Sequence, residues 1–510
     1  MTVEEGPAEL PFWQNRNESP DCQRWTSCTL PQSADSPSAI ELVPVPCKAG
    51  VALHGPKGMH RVHQSELRDQ RRGPVWQPPQ EGVLPPLSGR YITTRSIDAD
   101  CRIRSKVLGT GASGQVRLAE CRKTRRRFAV KSFRKGKLST QQWRDLQGEV
   151  RVYLALDHPH IARLERVYDR GDDLHLVMEH LEGGEVFDWV VRCGAFSERA
   201  AADVARQALL AVAYLHAHNV VHRDLKLENL VYDRPEAKQV KLIDFGYAAT
   251  CKEGSRLSHR CGSLQYVAPE VLARAYTEKV DIWSMGVLLY ILLTGHPLHY
   301  GPDSTIAMKI QGGKLEFVPC FSALSKDARD LVQSLLTFDP KDRPSAVAAL
   351  EHPWLRGHSC PAPAADPAAV GRLRAFAGVP PLRRACLLLM ASVLPSRDRS
   401  ALQKQFQALD SEHRGVLTLG GLKGALGPSC DDAEAEAVFA SLDASFNGEI
   451  SWNEFLAAAM SEQSRRSKDV SRAAFFLFDD YQPGGGSAGD AALYAAGGAL
   501  VEGQNDGADP

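Results

Sequence analysis

His222-Arg223-Asp224-Leu225-Lys226-Leu227-Glu228-Asn229 sits between two apolar pairs, Val220-Val221 and Leu230-Val231. One loop held by apolar flanks thus carries a carboxylate, a cation and an amide oxygen. Asp224 is placed to accept a hydroxyl proton, and Asn229 to hold a hard divalent cation, which demands oxygen ligands. Downstream, Asp244-Phe245-Gly246 follows the strand-like run Val240 to Ile243 and offers a second metal carboxylate. Ala268-Pro269-Glu270 closes the segment, with Arg343 a candidate buried partner for Glu270.

Upstream, Gly109-Thr110-Gly111-Ala112-Ser113-Gly114-Gln115-Val116 fits G-x-G-x-x-G-x-V, in which missing side chains let backbone N–H groups approach phosphate oxygens. The tip Ala112-Ser113 carries no aromatic residue. Phe128-Ala129-Val130-Lys131 then places an ammonium on a β-like run, and Glu149 is the candidate carboxylate to hold it. Taken singly, a Gly-rich turn is a common loop and a lone Lys or Glu an ordinary surface charge. In this order they converge on phosphoryl transfer.

On these motifs the chain resembles the eukaryotic protein kinases across roughly residues 101–355. The resemblance implies an α+β, bilobal fold with a β-rich N-lobe and an α-rich C-lobe. ATP would lie between the lobes with Mg2+ on Asn229 and Asp244. Catalysis is assigned to Asp224, Lys226, Asn229 and Asp244. The ATP-binding set is Gly109, Thr110, Gly111, Ala112, Ser113, Gly114, Val116, Ala129, Lys131 and Glu149, with Met178 as gatekeeper, Glu179 to Leu181 as hinge, and Glu185. Lys226 and Cys261-Gly262-Ser263 resemble the serine/threonine branch. Glu185 and Glu228 match positions that attract basic side chains, implying R-x-x-S/T protein substrates. Between Asp244 and Glu270, Ser255 and Ser258 are phosphorylation candidates, and Glu253 a standing negative charge for Arg223.

The carboxyl-terminal part repeats. Phe-x-x-Leu-Asp occurs at Phe406 and Phe439 and Phe-x-x-Phe-Asp at Phe475, spaced by 33 and 36 residues. Asp443 to Glu454 meets every demand of a calcium loop: Asp443, Ser445 and Asn447 at positions 1, 3 and 5, Gly448 at 6, Glu449 at 7 for its carbonyl, and Glu454 at 12. The loop Asp410 to Gly421 has Arg414 at position 5 and Gly421 at 12, so it should not bind. Asp479 to Asp490, with Tyr481 and Pro483, is expected to be empty or weak.

Between these parts, Leu373 to Phe376 and Leu382 to Leu394 interleave apolar residues with Arg372, Arg374, Arg383 and Arg384, a basic amphipathic helix candidate. The whole order resembles the calcium-dependent protein kinases of plants and protists. It implies a junction that occupies the kinase, with Arg372, Arg374, Arg383 and Arg384 as cations before the cleft carboxylates or else as an ordinary solvated helix face, and that is withdrawn by calcium-loaded EF-hands.

Composition bounds the rest. The chain has 510 residues, 43% hydrophobic and 24% charged, which suits more than one folded unit. Residues 401–510 hold 17 acidic and 7 basic side chains, so a net of zero hides an acidic tail domain on a basic remainder. Residues 1 to 90 contain 13 of the 31 prolines and read as a disordered leader. The expected division is kinase 101–355, linker and junction 356–400, EF-hand domain 401–492 and tail 493–510. The 12 cysteines form no C-x-x-C pair and no secretory leader is visible, pointing to a reducing, cytoplasmic setting with the nucleus or a membrane surface as alternatives. Met-Thr at the start offers no N-myristoylation signal. No transmembrane segment or nucleic-acid partner is expected, and the chain reads as a monomer using ATP, Mg2+ and Ca2+.

Overall fold

The structure is a computed structural model and describes residues 90–111, 114–236, 239–358, 366–427 and 430–480. Nearly all of the expected leader, the loop tip Ala112-Ser113, the Pro/Ala-rich linker at 359–365, the third calcium-loop candidate beyond its first residues and the expected tail lie outside the described residues.

The short alternating runs become six strands: β1 Tyr91–Ile92, β2 Cys101–Gly111, β3 Gly114–Cys121, β4 Arg127–Arg134, β5 Leu164–Arg170 and β6 Asp173–Glu179. Their order is β1-β5-β6-β4-β3-β2, with β1 parallel to β5 and the other neighbours antiparallel. In β4 the period of two sends Phe128 and Val130 into one apolar layer and Lys131 to the other face. Helix α1, Thr140–Ala155, starts at a capping box between Ser139 and Gln142 and buries Leu146, Val150 and Tyr153, with Glu149 on the same side.

The second lobe is helical. Helix α2, Glu198–Ala217, and α3, Lys279–Thr294, share one core with α1. The apolar run Met285 to Thr294 is α3, buried all round as a core helix is. No helix among the described residues is long and apolar enough to cross a membrane.

A separate apolar cluster organises the carboxyl-terminal helices: α4 Pro367–Phe376, α5 Pro381–Ser392, α6 Ser396–Leu409, α7 Leu419–Leu426, α8 Asp432–Leu442, α9 Trp452–Ala459 and α10 Lys468–Asp480. The basic amphipathic stretch is therefore two helices. Pro380 and Pro381 divide it: a ring without an N–H cannot continue α4 but is favoured in the first turn of α5.

Candidate active site and calcium loops

The loop quoted first is pinned from beneath by Asp281, which opens α3. Its carboxylate accepts the backbone N–H groups of His222 and Arg223, both at 2.9 Å, and lies 2.9 Å from the His216 Nε2. Those bonds hold Arg223 at φ +68°, a left-handed conformation costly for a side-chain residue. Asp281 was not singled out in the sequence, although an acid at the start of a long apolar helix signals a buried polar group that must be paired.

Asp224 is buried, and its oxygens are shared out. Lys226 Nζ donates to Oδ2 at 2.7 Å, while the Ser263 hydroxyl and N–H donate to Oδ1, each at 2.9 Å. Lys226 also reaches the Ser263 hydroxyl at 3.0 Å. Ser263, read in the sequence only as a branch marker, thus seats a serine hydroxyl on the candidate base. Gly262 before it has φ +93°, and a Cβ there would stand 2.5 Å from the Arg223 carbonyl, so only glycine fits. Asn229 Nδ2 donates to the Asp224 carbonyl at 2.8 Å, which orients the amide and leaves its Oδ1 as a potential metal ligand.

On the nucleotide side, Lys131 Nζ donates to Asp244 Oδ1 at 3.1 Å. Sequence reasoning paired Lys131 with Glu149 instead. Glu149 is in the cluster, but among the described residues no ion pair joins the two. Burial lifts the Glu149 carboxyl to about 7 despite Lys131, whereas burial of the Lys131 ammonium is outweighed by Glu149 and Asp244, which hold its pKa above the ordinary lysine value. Lys131 in turn outweighs burial at Asp244 and keeps that carboxylate ionised. A stack fixes Asp244: the Phe245 ring lies 4.6 Å from Tyr153 on α1 and 5.1 Å, edge-on, from His222.

The β2–β3 hairpin pairs Gly109 with Val116, Thr110 with Gln115 and Gly111 with Gly114, and a Cβ at Gly109 or Gly114 would meet nothing within 4 Å. A bare backbone facing open space, an ammonium beside it, and oxygens from Asp244 and Asn229 fit a triphosphate with a divalent cation. Val116 is paired with Lys131, and Ala129 with Met178. Leu181 is half-buried beyond the end of β6, and Glu185 precedes the helix Val186–Cys193.

Glu179, expected in the hinge, spends its side chain on two cations. Its carboxylate accepts from Lys241 Nζ at 2.8 and 2.9 Å and from Arg399 at 2.9 Å. Burial would raise its pKa, but the two cations drive it down to about 2. Arg223 also differs from expectation. It reaches the Tyr276 hydroxyl at 3.2 Å and the Tyr247 carbonyl, and Glu253 is exposed with no ion pair to Arg223. The Glu270–Arg343 pair is buried as expected, at 2.7 and 3.3 Å.

In the loop starting at Asp443, the Asp443 carboxylate accepts the N–H groups of Asn447 at 3.1 Å and Gly448 at 2.9 Å, and the Ser445 hydroxyl at 3.3 Å. Glu454 accepts from Ser445 N at 2.9 Å and Ser451 N at 2.7 Å, closing the ring across position 12. The Glu449 side chain turns out to Arg414, 2.8 Å, and to His218, 3.4 Å, so its carbonyl is what remains for a cation. Leu417 and Ile450 bond reciprocally at 2.9 Å, tying this loop to the one starting at Asp410.

Residues 103–355 match the family described as protein kinase domain, and residues 399–460 the family described as EF-hand domain pair. The chain is 38% identical over 409 residues to calcium-dependent protein kinase 9 of Oryza sativa subsp. japonica, spanning 78% of this chain and 70% of that protein. It is 36% identical to calcium-dependent protein kinase 21 of Arabidopsis thaliana, spanning 70% of this chain and 68% of that one. Calcium-dependent protein kinase 5 of Plasmodium falciparum is 32% identical over 73% of this chain. The chain belongs to the calcium-dependent protein kinase family.

As a serine/threonine protein kinase of that family, it places its junction unexpectedly. The reading of Arg372, Arg374 and Arg384 as cations in the cleft does not describe this arrangement. They instead donate to carbonyls at the ends of EF-hand helices: Arg372 to Ala459 at 2.8 Å, Arg374 to Leu426 at 3.0 Å and Arg384 to Ser441 at 3.1 Å. Helix ends leave carbonyls without partners and carry partial negative charge, so arginine is the matching donor. Arg383 is exposed.

The same calcium-dependent protein kinase packs its EF-hand helices against the segment between α1 and β5. Gln403 and Gln407 donate to His160 Nε2 at 2.8 and 2.9 Å, and the Asn453 N–H to Asp157 at 2.8 Å. Val416, in the loop that lacks calcium ligands, is buried in the kinase core cluster. None of these contacts had a local sequence signal.

Proposed function

We propose that the chain transfers the γ-phosphoryl of ATP to serine or threonine of proteins with basic residues upstream, and that calcium at one EF-hand loop controls it. The observation that supports the transfer most directly is the Ser263 hydroxyl donating to Asp224 at 2.9 Å, a model for how the carboxylate receives a substrate hydroxyl. Asp224 orients that hydroxyl and takes its proton. Lys226 beside it offsets negative charge as the phosphoryl arrives. Lys131 and the hairpin N–H groups hold the phosphates. Asp244 and Asn229 would hold Mg2+, which disperses phosphate charge when bound. Burial raises the pKa of Glu228 near the cleft, and a cationic side chain would restore its ionised form, which favours basic peptides.

For calcium, Asp443, Ser445, Asn447, the Glu449 carbonyl and Glu454 supply the ligands. The junction alternates between the cleft and the EF-hand domain, and the arrangement described above is the withdrawn one: α4 and α5 are packed in the EF-hand cluster and three arginines are spent on helix ends. We read 101–355 as the kinase, 356–400 as linker and junction and 401–492 as the EF-hand domain, and the chain as a cytoplasmic monomer.

The test uses the intact chain with labelled ATP and two serine peptides, one with arginine and one with aspartate three residues upstream, in calcium and in chelator. Faster labelling of the basic peptide in calcium, lost in Lys131→Met and Asp244→Asn, is expected. Equal labelling of both peptides, or retained turnover in either variant, overturns the assignments.

A further inference from the structure

Two thiols face each other in the N-lobe sheet, outside the phosphoryl-transfer machinery. Cys101 opens β2, Cys121 closes β3, and the antiparallel register pairs them directly. The Arg122 N–H donates to the Asp100 carbonyl at 2.8 Å just outside the pair, the pattern of a non-hydrogen-bonded site. At such sites opposed Cα atoms lie ~4.5 Å apart with side chains on one face, at the near edge of the ~4.4–6.8 Å range across which a disulfide closes. Both are free cysteines, Cys101 buried and Cys121 half-buried.

The two sulfurs are not equivalent. Cys121 Sγ accepts the Thr124 N–H at 3.4 Å, and the run Arg122, Lys123, Arg125, Arg126, Arg127 follows it. The facing Cys101 thiol, with help from Thr124, outweighs burial and lowers the pKa of Cys121, whereas Cys121 and burial raise that of Cys101. With the Thr124 N–H and the basic run beside it, Cys121 is the better attacking sulfur and Cys101 the resolving one.

We propose that Cys121 and Cys101 form a peroxide-responsive disulfide that staples the base of the glycine-rich hairpin. The Cys121 sulfur attacks one oxygen of hydrogen peroxide and the O–O bond breaks. The departing hydroxide takes up a proton as water, leaving Cys121 as a sulfenic acid. The Cys101 sulfur then attacks Cys121, the S–O bond breaks, and hydroxide leaves with the Cys101 proton as a second water. Each sulfur gives up one electron, and the peroxide is reduced to two waters. Between the staple and the turn, β2 is irregular between Ile103 and Val107 and between Val107 and Gly109. A bond at the base limits how those irregularities move Gly109 to Gly111 and Gly114 over the phosphates.

The experiment treats the intact chain with a few equivalents of hydrogen peroxide, blocks remaining thiols and maps the unreduced digest by mass spectrometry. The expected product is a Cys101–Cys121 linked peptide, formed before the exposed Cys193 and Cys320 lose their free thiols. Cys101→Ser should stop at a Cys121 sulfenic acid captured by dimedone, and Cys121→Ser should give neither product. Oxidation should shift the KM for ATP at least about twofold, reversibly with dithiothreitol, leave the peptide KM unchanged, and do neither in Cys101→Ser. Earlier oxidation of Cys193 or Cys320, or no linked peptide in the unsubstituted chain, overturns the site. A linked peptide with an unmoved KM for ATP overturns its action on the hairpin.

Discussion

The loops starting at Asp410 and Asp443 are built on one backbone and serve two purposes. In each, the first aspartate accepts two N–H groups, from Arg414 and Gly415 at 3.0 and 2.7 Å, and from Asn447 and Gly448 at 3.1 and 2.9 Å. In each, two residues take positive φ: His413 and Gly415 at +53° and +72°, Phe446 and Gly448 at +55° and +78°. They differ at position 5, where Arg414 stands against Asn447, and at position 12, where Gly421 stands against Glu454. The first loop spends its cation on Glu449 and its backbone on the kinase. The loop geometry survives loss of the ligands because turn hydrogen bonds, rather than the metal, define it.

Five substitutions, one of them read across pH, would break or sharpen that contrast. Glu454→Gln removes the carboxylate that closes the second loop and should weaken calcium binding on the order of a hundredfold and abolish calcium activation, read by calorimetry and peptide phosphorylation. Unchanged affinity would mean that the cation lies elsewhere. Gly415→Ala should destabilise the chain by about 2–3 kcal/mol, because its Cβ would stand 2.6 Å from His158 and 2.8 Å from Tyr214 at a φ only glycine takes freely. Gly448→Ala, which meets nothing within 4 Å, should cost about 1–2 kcal/mol from φ alone. Equal losses in denaturant titration would deny the docking of the first loop.

The fourth concerns pH. Burial holds His160 near 4, below its ordinary 6.5, and His160 accepts Gln403 and Gln407 while its Nδ1 faces the Val240 carbonyl at 2.9 Å. A depressed folded pKa means the unfolded chain binds the proton first. This contribution is therefore whole above pH 6.5 and is lost as pH falls toward about 4, by a few kcal/mol in all. Glu179, driven to about 2, keeps its charge through that window. His160→Gln should flatten the stability curve between pH 6.5 and 4. The smallest effect belongs to Arg414→Met: Arg414 is 39% exposed, so losing its pair with Glu449 should cost under about 1 kcal/mol and leave calcium affinity nearly unchanged.

The catalytic loop, the hairpin, the strand carrying Lys131 and the intact calcium loop were legible because each is a local pattern with fixed spacing. What was not legible depends on partners far along the chain. The buried Glu179 carboxylate is held by Lys241 and Arg399, and Lys131 meets Asp244 rather than Glu149 because β4 and the segment carrying Phe245 meet only in the folded cleft. Arg372, Arg374 and Arg384 look like cations awaiting an acidic cleft. That they end EF-hand helices follows only once α4 and α5 are packed among α7, α8 and α9. Ser263 had a sequence signal, the Cys261-Gly262-Ser263 run that marks the branch, but its bond to Asp224 did not.

The most direct test titrates calcium into the intact chain by calorimetry and records phosphorylation of the basic serine peptide at each point. The account predicts a single calcium whose saturation curve coincides with the rise in activity. Two calcium ions, none, or activity already full in chelator would contradict it.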